Sequence, residues 1–338
     1  MAALQQKVTP RAPIWMMRQA GRYLPEYLKL KQEQAGGDFW RMIHEPDLAT
    51  EITLQPWERF KTDALILFSD ILTPFPAMGL DVRYIPHPVL EKNAYALGIE
   101  NLTLPNPEQH FSFVGQTIQK IKKRNPTPLI GFVGGPYTLA CYALQKGKFD
   151  AHLPKQLFYS EPQKYHQLLE KISETLQAYI AYQIKNGVDS LMIFDSWVGA
   201  LSIEQYQQMA EPYLSFLWPK KNAQASCPMI YFGLGGAHLL SLWENIPIQA
   251  LGLDWRMNLN VARTLFLGKK ALQGNFDYNQ LFAPKLEIEQ QAKKILKTMA
   301  GYPGFIFNLG HGILPNTPLE NVAHLFSVVQ NTPYAKLR

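Results

Sequence analysis

Cysteine is scarce. The 338-residue chain holds two, Cys141 and Cys227. A disulfide framework is not expected, and a reducing compartment fits. Charged residues are also few, at 18%, with 33 Lys and Arg against 27 Asp and Glu, a formal net charge of +6. With 47% apolar residues, this composition excludes a disordered or fibrous chain. No run is long and apolar enough for a signal peptide at the start, MAALQQKVTPRAP, so a cytoplasmic location is expected. One uncharged stretch, between Arg124 and Lys146, imitates a membrane span. Pro126, Pro128 and Pro136, with Gly131, Gly134 and Gly135, interrupt it. Such residues break a spanning helix and suit a buried strand, a turn and a helix start instead.

Several chemistries lack their motifs. There is no G-x-x-x-x-G-K-[ST] phosphate loop and no G-x-S-x-G elbow. Gly233-Leu234-Gly235-Gly236 begins like a dinucleotide fingerprint, but the sixth position is His238. The eight histidines form no H-x-H or H-x-x-x-H pair, and neither cysteine sits in an H-x-C arrangement. Local spacing therefore argues against zinc, while ligation by distant carboxylates stays open.

What the chain has is short apolar runs alternating with amphipathic stretches. The runs are Ile14 to Met17, Ala64 to Phe68, Leu129 to Val133, Leu191 to Phe194, Met229 to Phe232, Ala250 to Leu253, Ala271 to Leu272 and Phe305 to Phe307. Runs this short suit parallel strands covered on both faces. Pro162 to Lys185, Ile203 to Lys221 and Lys285 to Met299 read as helices. About eight repeats of strand and helix predict a single (β/α)₈ TIM-type barrel over 1–338, with a short N-terminal extension at 1–12. A doubly wound open sheet is the alternative. Pro74 to Pro107 reads as an excursion from the barrel. In a barrel the active site lies at the C-terminal ends of the strands. Those ends carry Arg18 and Arg22, Asp70, Tyr137, Asp195, Asp254, Arg256 and His311.

The strand ends also carry a resemblance. Pro13-Ile14-Trp15-Met16-Met17-Arg18-Gln19-Ala20-Gly21-Arg22-Tyr23-Leu24-Pro25-Glu26-Tyr27 resembles the signature of the uroporphyrinogen decarboxylases. Phe68-Ser69-Asp70-Ile71-Leu72, the segment Gly131 to Leu139, Phe194-Asp195-Ser196-Trp197, Gly252-Leu253-Asp254-Trp255 and Asn308-Leu309-Gly310-His311-Gly312-Ile313 follow in family order. The resemblance implies a cofactor-independent carboxy-lyase, a homodimer without metal. It would convert the four acetate side chains of uroporphyrinogen III to methyl groups, giving coproporphyrinogen III.

The same resemblance assigns candidate residues. Asp70 would accept hydrogen bonds from the pyrrole N–H groups and favour a cationic ring intermediate. Its ordinary alternative is a helix cap. Arg18, Gln19, Ala20, Gly21 and Arg22 would bind substrate carboxylates. Arg18 and Arg22, four apart, are expected on one helix face, where guanidinium forks grip carboxylates bidentately. The proton donor stays open between Arg18, Arg22 and a water on Asp70. Lys31 would bind an outer carboxylate. Phe39 would touch the substrate, or merely fill the core. The Tyr137 hydroxyl would bind an acetate or position Asp70. Ser196 would contact substrate, or cap a helix. His311 would bind a propionate. Leu234, Phe276 and Tyr278 depart from the family pattern.

Rival readings are a corrinoid-linked methyltransferase, which resembles this family in fold but needs His and Cys ligands for zinc, a nucleic-acid binder and an inactive porphyrinogen binder. Lys120, Lys122, Lys123 and Arg124 form the densest basic cluster. A solvated helix face explains them as well as a nucleic-acid footprint does.

Overall fold

The computed structural model describes residues 1–84, 87–145, 150–218 and 227–337. Its main sheet has seven parallel strands: β1 (Leu65–Ile66), β4 (Leu129–Gly134), β5 (Ser190–Asp195), β6 (Met229–Gly233), β7 (Ala250–Gly252), β8 (Ala271–Phe276) and β9 (Phe305–Leu309). A separate antiparallel hairpin joins β2 (Val82–Tyr84) to β3 (Pro88–Leu90). This hairpin occupies the Pro-rich excursion.

The strands of the main sheet follow one another in chain order. A doubly wound sheet would reverse direction at a switch point, so that alternative is excluded. The result is an α/β fold with a curled seven-stranded parallel sheet. The expected strand at Ile14 to Met17 is reduced to a single parallel bridge, Ile14 to Phe307. Asp63 fixes this segment. It accepts the Ile14 amide at 2.8 Å and both terminal nitrogens of Arg11, at 2.7 and 2.9 Å.

Alternation explains the layering. Ile130 and Phe132, Met192, Ile230 and Phe232, Ala250, Ala271 and Ile306 cluster inside the curl with Trp15 and Met17. Their sequence neighbours Leu129, Val133, Leu191, Ile193, Met229, Tyr231, Leu251 and Leu272 belong to the larger cluster shared with the helices. Most strands thus bury apolar residues on both faces, which is why the runs read as continuous. Ala3 and Leu4, in the expected N-terminal extension, are buried in the inner cluster.

Prolines start helices here. Pro25, Pro46, Pro136 and Pro162 each open one. Proline lacks the amide that a first turn leaves unpaired and its φ already suits a helix. The helices Pro162–Asn186 and Lys285–Met299 lie where expected. The helix expected over 203–221 instead divides into Ile203–Met209 and Glu211–Ser215, with 219–226 outside the described residues. A second correction concerns Arg18 and Arg22. They are not on a helix, because the first long helix begins only at Pro25. Met17 to Leu24 forms turns, and Leu24 N–H donates to the Gly21 carbonyl at 3.0 Å.

The basic helix Ser112–Arg124 is a paired surface. Lys120 meets Asp47 at 2.5 Å, Lys122 meets Asp189 at 2.6 Å, and Arg124 meets Glu51 at 3.2 Å. Its charge is largely answered within the chain, which favours the solvated-face reading. Among the described residues no helix is long and apolar enough to cross a membrane.

Candidate active site

The Asp70 carboxylate is half-buried just beyond β1. One oxygen accepts the Leu72 amide at 2.8 Å. This is a short turn contact, and it leaves the other oxygen for a further donor. Burial pushes the Asp70 carboxyl above its usual range, against the pull of the Leu72 amide, the Tyr84 hydroxyl and the Arg18 charge. Tyr84 reaches Asp70 from strand β2. Its ring is held against Phe39 at 4.9 Å and Trp40 at 5.5 Å. Its hydroxyl is buried beside the carboxylate.

Arg18 has φ of +59°. That left-handed backbone is costly for a residue with a Cβ, on the order of 1–2 kcal/mol. It turns the side chain across Gly312, where an added Cβ would fall 2.4 Å from Arg18 Cδ. A glycine is therefore required there for the arginine to lie as it does. The Arg18 charge acts on Asp70, Tyr142 and His311 together. The elements that follow β1, β4 and β9 thus meet at one guanidinium.

His311 is half-buried, with Nδ1 3.2 Å from the Gly312 carbonyl oxygen. Burial, then the Arg18 charge, push its pKa below the usual histidine range. At neutral pH it offers a neutral ring, not a cation. Its ring packs 4.9 Å from Tyr278 and 6.0 Å from Trp255. Tyr278, one departure from the family pattern, therefore stands beside the site. Phe276 is fully buried against Phe307 and is a packing residue. Leu234 packs against the inner cluster.

Other expected residues divide into two groups. Gln19 is fully buried and acts as a strut. It accepts the Met16 amide and donates to the Ala64 carbonyl, each at 3.1 Å. Gly21 faces the Arg18 carbonyl at 3.3 Å from its would-be Cβ, and Ala20 is partly buried. Arg22 is exposed, and its charge acts on Tyr27. Lys31 is half-buried on the helix Pro25–Ala35, with no ion pair among the described residues. Phe39 packs edge-on to Phe68, 5.7 Å away, as well as on Tyr84. Ser196 is half-buried in the turn after β5 and caps no helix.

Tyr137 differs from expectation. It is fully buried, and its hydroxyl donates to the Ala151 carbonyl at 3.1 Å. Its electrostatic neighbours are Cys141, Asp195 and Asp150. Tyr142, on the same short helix Pro136–Ala143, is the tyrosine that feels Asp70 and Arg18, and it interacts with Trp197. Sequence reasoning missed Tyr142 and Tyr84. A tyrosine in a helix carries no local mark of which wall it faces.

Asp195, at the end of β5, is buried. It accepts the Thr138 hydroxyl at 2.5 Å and the Tyr231 hydroxyl at 3.1 Å, while Thr138 accepts the Trp197 amide at 3.1 Å. This network ties the turn after β5 to the helix after β4. Burial pushes Asp195 up to about 6. The folded state therefore holds a proton that an unfolded aspartate releases near 3.8. Its stabilising contribution is full below about pH 4 and is lost as the pH rises to about 6. The change is on the order of 3 kcal/mol. We expect urea unfolding to show wild type losing about that much stability, relative to Asp195→Asn, between pH 4 and pH 7. A difference independent of pH would refute this assignment.

The sequence model of the family described as Uroporphyrinogen decarboxylase (URO-D) matches residues 1–332. The chain belongs to the uroporphyrinogen decarboxylase family. It is 41% identical over 327 residues to uroporphyrinogen decarboxylase of Geotalea uraniireducens (strain Rf4), covering 96% of this chain and 95% of that protein. The uroporphyrinogen decarboxylase of Geobacter sulfurreducens matches with the same identity and coverage. Among solved structures, a methyltransferase from Methanosarcina mazei superposes with a TM-score of 0.79 at 19% identity, covering 97% of this chain and 96% of that one. That likeness concerns the fold alone. Among the described residues no group of three or more His, Cys, Asp or Glu is placed to hold a metal ion, and both cysteines are buried and free.

Proposed function

We propose that this family member is a uroporphyrinogen decarboxylase that converts the four acetate side chains of uroporphyrinogen III to methyl groups, giving coproporphyrinogen III without a cofactor. The observation that carries the reading is the juxtaposition of Arg18 with the half-buried Asp70 at the strand ends. A carboxylate at the centre and guanidinium groups around it suit a macrocycle with N–H donors inside and carboxylates outside.

The chemistry needs a place for the electrons of the breaking C–C bond. Protonation of the neighbouring ring carbon makes a cationic pyrrole, and the electron pair then flows into the ring as carbon dioxide leaves. The exocyclic methylene takes a proton to become methyl, and the ring carbon returns its own. One proton is consumed for each carbon dioxide released. Asp70 would hold the pyrrole N–H groups and stabilise the cationic ring. Arg18, with Arg22 at the exposed edge, would bind the carboxylates. Burial keeps the Tyr142 hydroxyl protonated, so it serves as a neutral donor in the role expected of Tyr137. Ser196, Phe39, Lys31, the backbone from Gln19 to Gly21 and neutral His311 complete the contacts.

The same reading takes the segment at Ile14 as the eighth stave of a closed (β/α)₈ barrel. Its bridge to Phe307 and the 2.9 Å hydrogen bond from Asp63 N–H to the Ile14 carbonyl support that. It also takes the chain as one domain and the protein as a cytoplasmic homodimer, expectations that rest on the family. Anaerobic incubation with uroporphyrinogen III and no added cofactor tests the activity. Coproporphyrinogen III is the expected product. Unchanged octacarboxylate from well-folded protein would refute the enzyme reading and favour an inactive binder.

A further inference from the structure

A further cation, Arg256, has no role in the scheme above. Arg256 follows β7, and its side chain is half exposed. Its guanidinium lies 4.3 Å from the Trp255 ring and 3.4 Å from the buried Asp254 carboxylate. Asp254 does not depend on it. That carboxylate already accepts the Gly235 amide at 2.6 Å and the Arg256 amide at 2.8 Å. Apart from this ion pair and the Trp255 ring, no partner of the guanidinium is seen among the described residues. Stacking and charge hold its plane, while half of the side chain stays open to solvent.

The platform beneath it is rigid. An added Cβ at Gly310 would fall 2.2 Å from the Trp255 backbone nitrogen, so the turn after β9 is pressed against Trp255. Trp255 and Tyr278 meet edge to face at 5.1 Å, and both contact His311. The charges of Arg18 and Arg256 both act on His311. Two guanidinium charges thus bear on one histidine, offset in part by Asp254.

We propose that Arg256, with His311 beside it, is a second carboxylate-binding arm of this site, gripping an outlying carboxylate of the molecule centred on Asp70. The proposal rests on the reading of a polycarboxylate substrate. It makes Arg256 a specificity-determining residue that acts in binding and not in the bond-breaking step. An ordinary surface arginine would leave KM unmoved.

Anaerobic steady-state kinetics with uroporphyrinogen III would compare wild type with Arg256→Gln and Arg256→Lys. The expected result for Arg256→Gln is a KM raised about tenfold with kcat within about twofold, since one charge-assisted contact is lost in ground and transition states alike. Arg256→Lys should fall between, because lysine keeps the charge and loses the fork. The gap should shrink as salt is added. A KM within about twofold of wild type in both variants would overturn the proposal, as would a fall in kcat at unchanged KM. Circular dichroism checks folding, and if Arg256→Gln is unfolded the lysine variant decides by the same criteria. Fluorescence titration with the stable octacarboxylate uroporphyrin III separates this proposal from the decarboxylase reading. Weaker binding by Arg256→Gln supports the arm even if wild type shows no turnover, and equal binding overturns it even if turnover is normal.

Discussion

Asp70→Asn is expected to fold normally and to lower kcat by roughly 10²–10³-fold, the effect typical of removing one preorganised electrostatic group. The substitution is nearly isosteric, and its carbonyl oxygen can still accept the Leu72 amide, now 2.8 Å from the carboxylate. What changes is the other oxygen, which becomes an NH₂ group and meets pyrrole N–H donors with a donor of its own. The negative charge facing the cationic ring also disappears. Arg18 would remain, so KM should move less than kcat. The pH profile provides a second check. Burial raises the Asp70 carboxyl above its ordinary 3.8, and the reaction uses the ionised form. Wild-type activity should therefore fall on acidification at a pH above the usual carboxylate range, and the asparagine variant should lack that limb. Wild-type turnover in Asp70→Asn would remove Asp70 from its assigned place.

Arg18→Gln should lower kcat/KM by about 10²-fold, because the charge-assisted contact of the fork with a substrate carboxylate is lost. Arg18→Lys should recover little, because the ammonium lacks the fork. Gly312→Ala gives the same test from the other side. Its new Cβ would overlap the Arg18 stem, whose Cδ lies 2.4 Å away. The flexible stem must shift, so this variant should bind substrate poorly while its thermal unfolding changes little. Arg18→Gly would relieve a backbone φ of +59°. It should be about as stable as wild type and almost inactive, which separates catalytic from structural need. Unchanged kcat/KM in both Arg18→Gln and Gly312→Ala would place carboxylate binding elsewhere.

The motif order from Arg18 through His311 is legible in the sequence, and so is Asp70 past a strand end. The arginine pair departs from expectation. Four-residue spacing implies a shared face only on a helix, and the helix starts at Pro25. Tyr137 and Tyr142 stand in one short helix after the same Gly-Gly-Pro turn. Nothing local distinguishes the one whose hydroxyl meets Ala151 from the one beside Asp70. Tyr84 lay in a Pro-rich excursion that carries no family motif. Its importance depends on the hairpin bringing it against Phe39 and Asp70.

The sequence by itself determined the alternation of strands and helices, the family and the place of Asp70 just past a strand. Each of these is written in neighbouring residues, through a short apolar run, a proline at a helix start or an unbroken motif. Only the tertiary structure decided which side chains share the mouth. Arg18 lies on Gly312, from near the other end of the chain, and Arg256 rests on Trp255, which is pressed by Gly310. Such contacts follow from the order and register of parallel strands, which bring distant strand ends together. Register is set by the packing of the whole core, and no short stretch of sequence contains it.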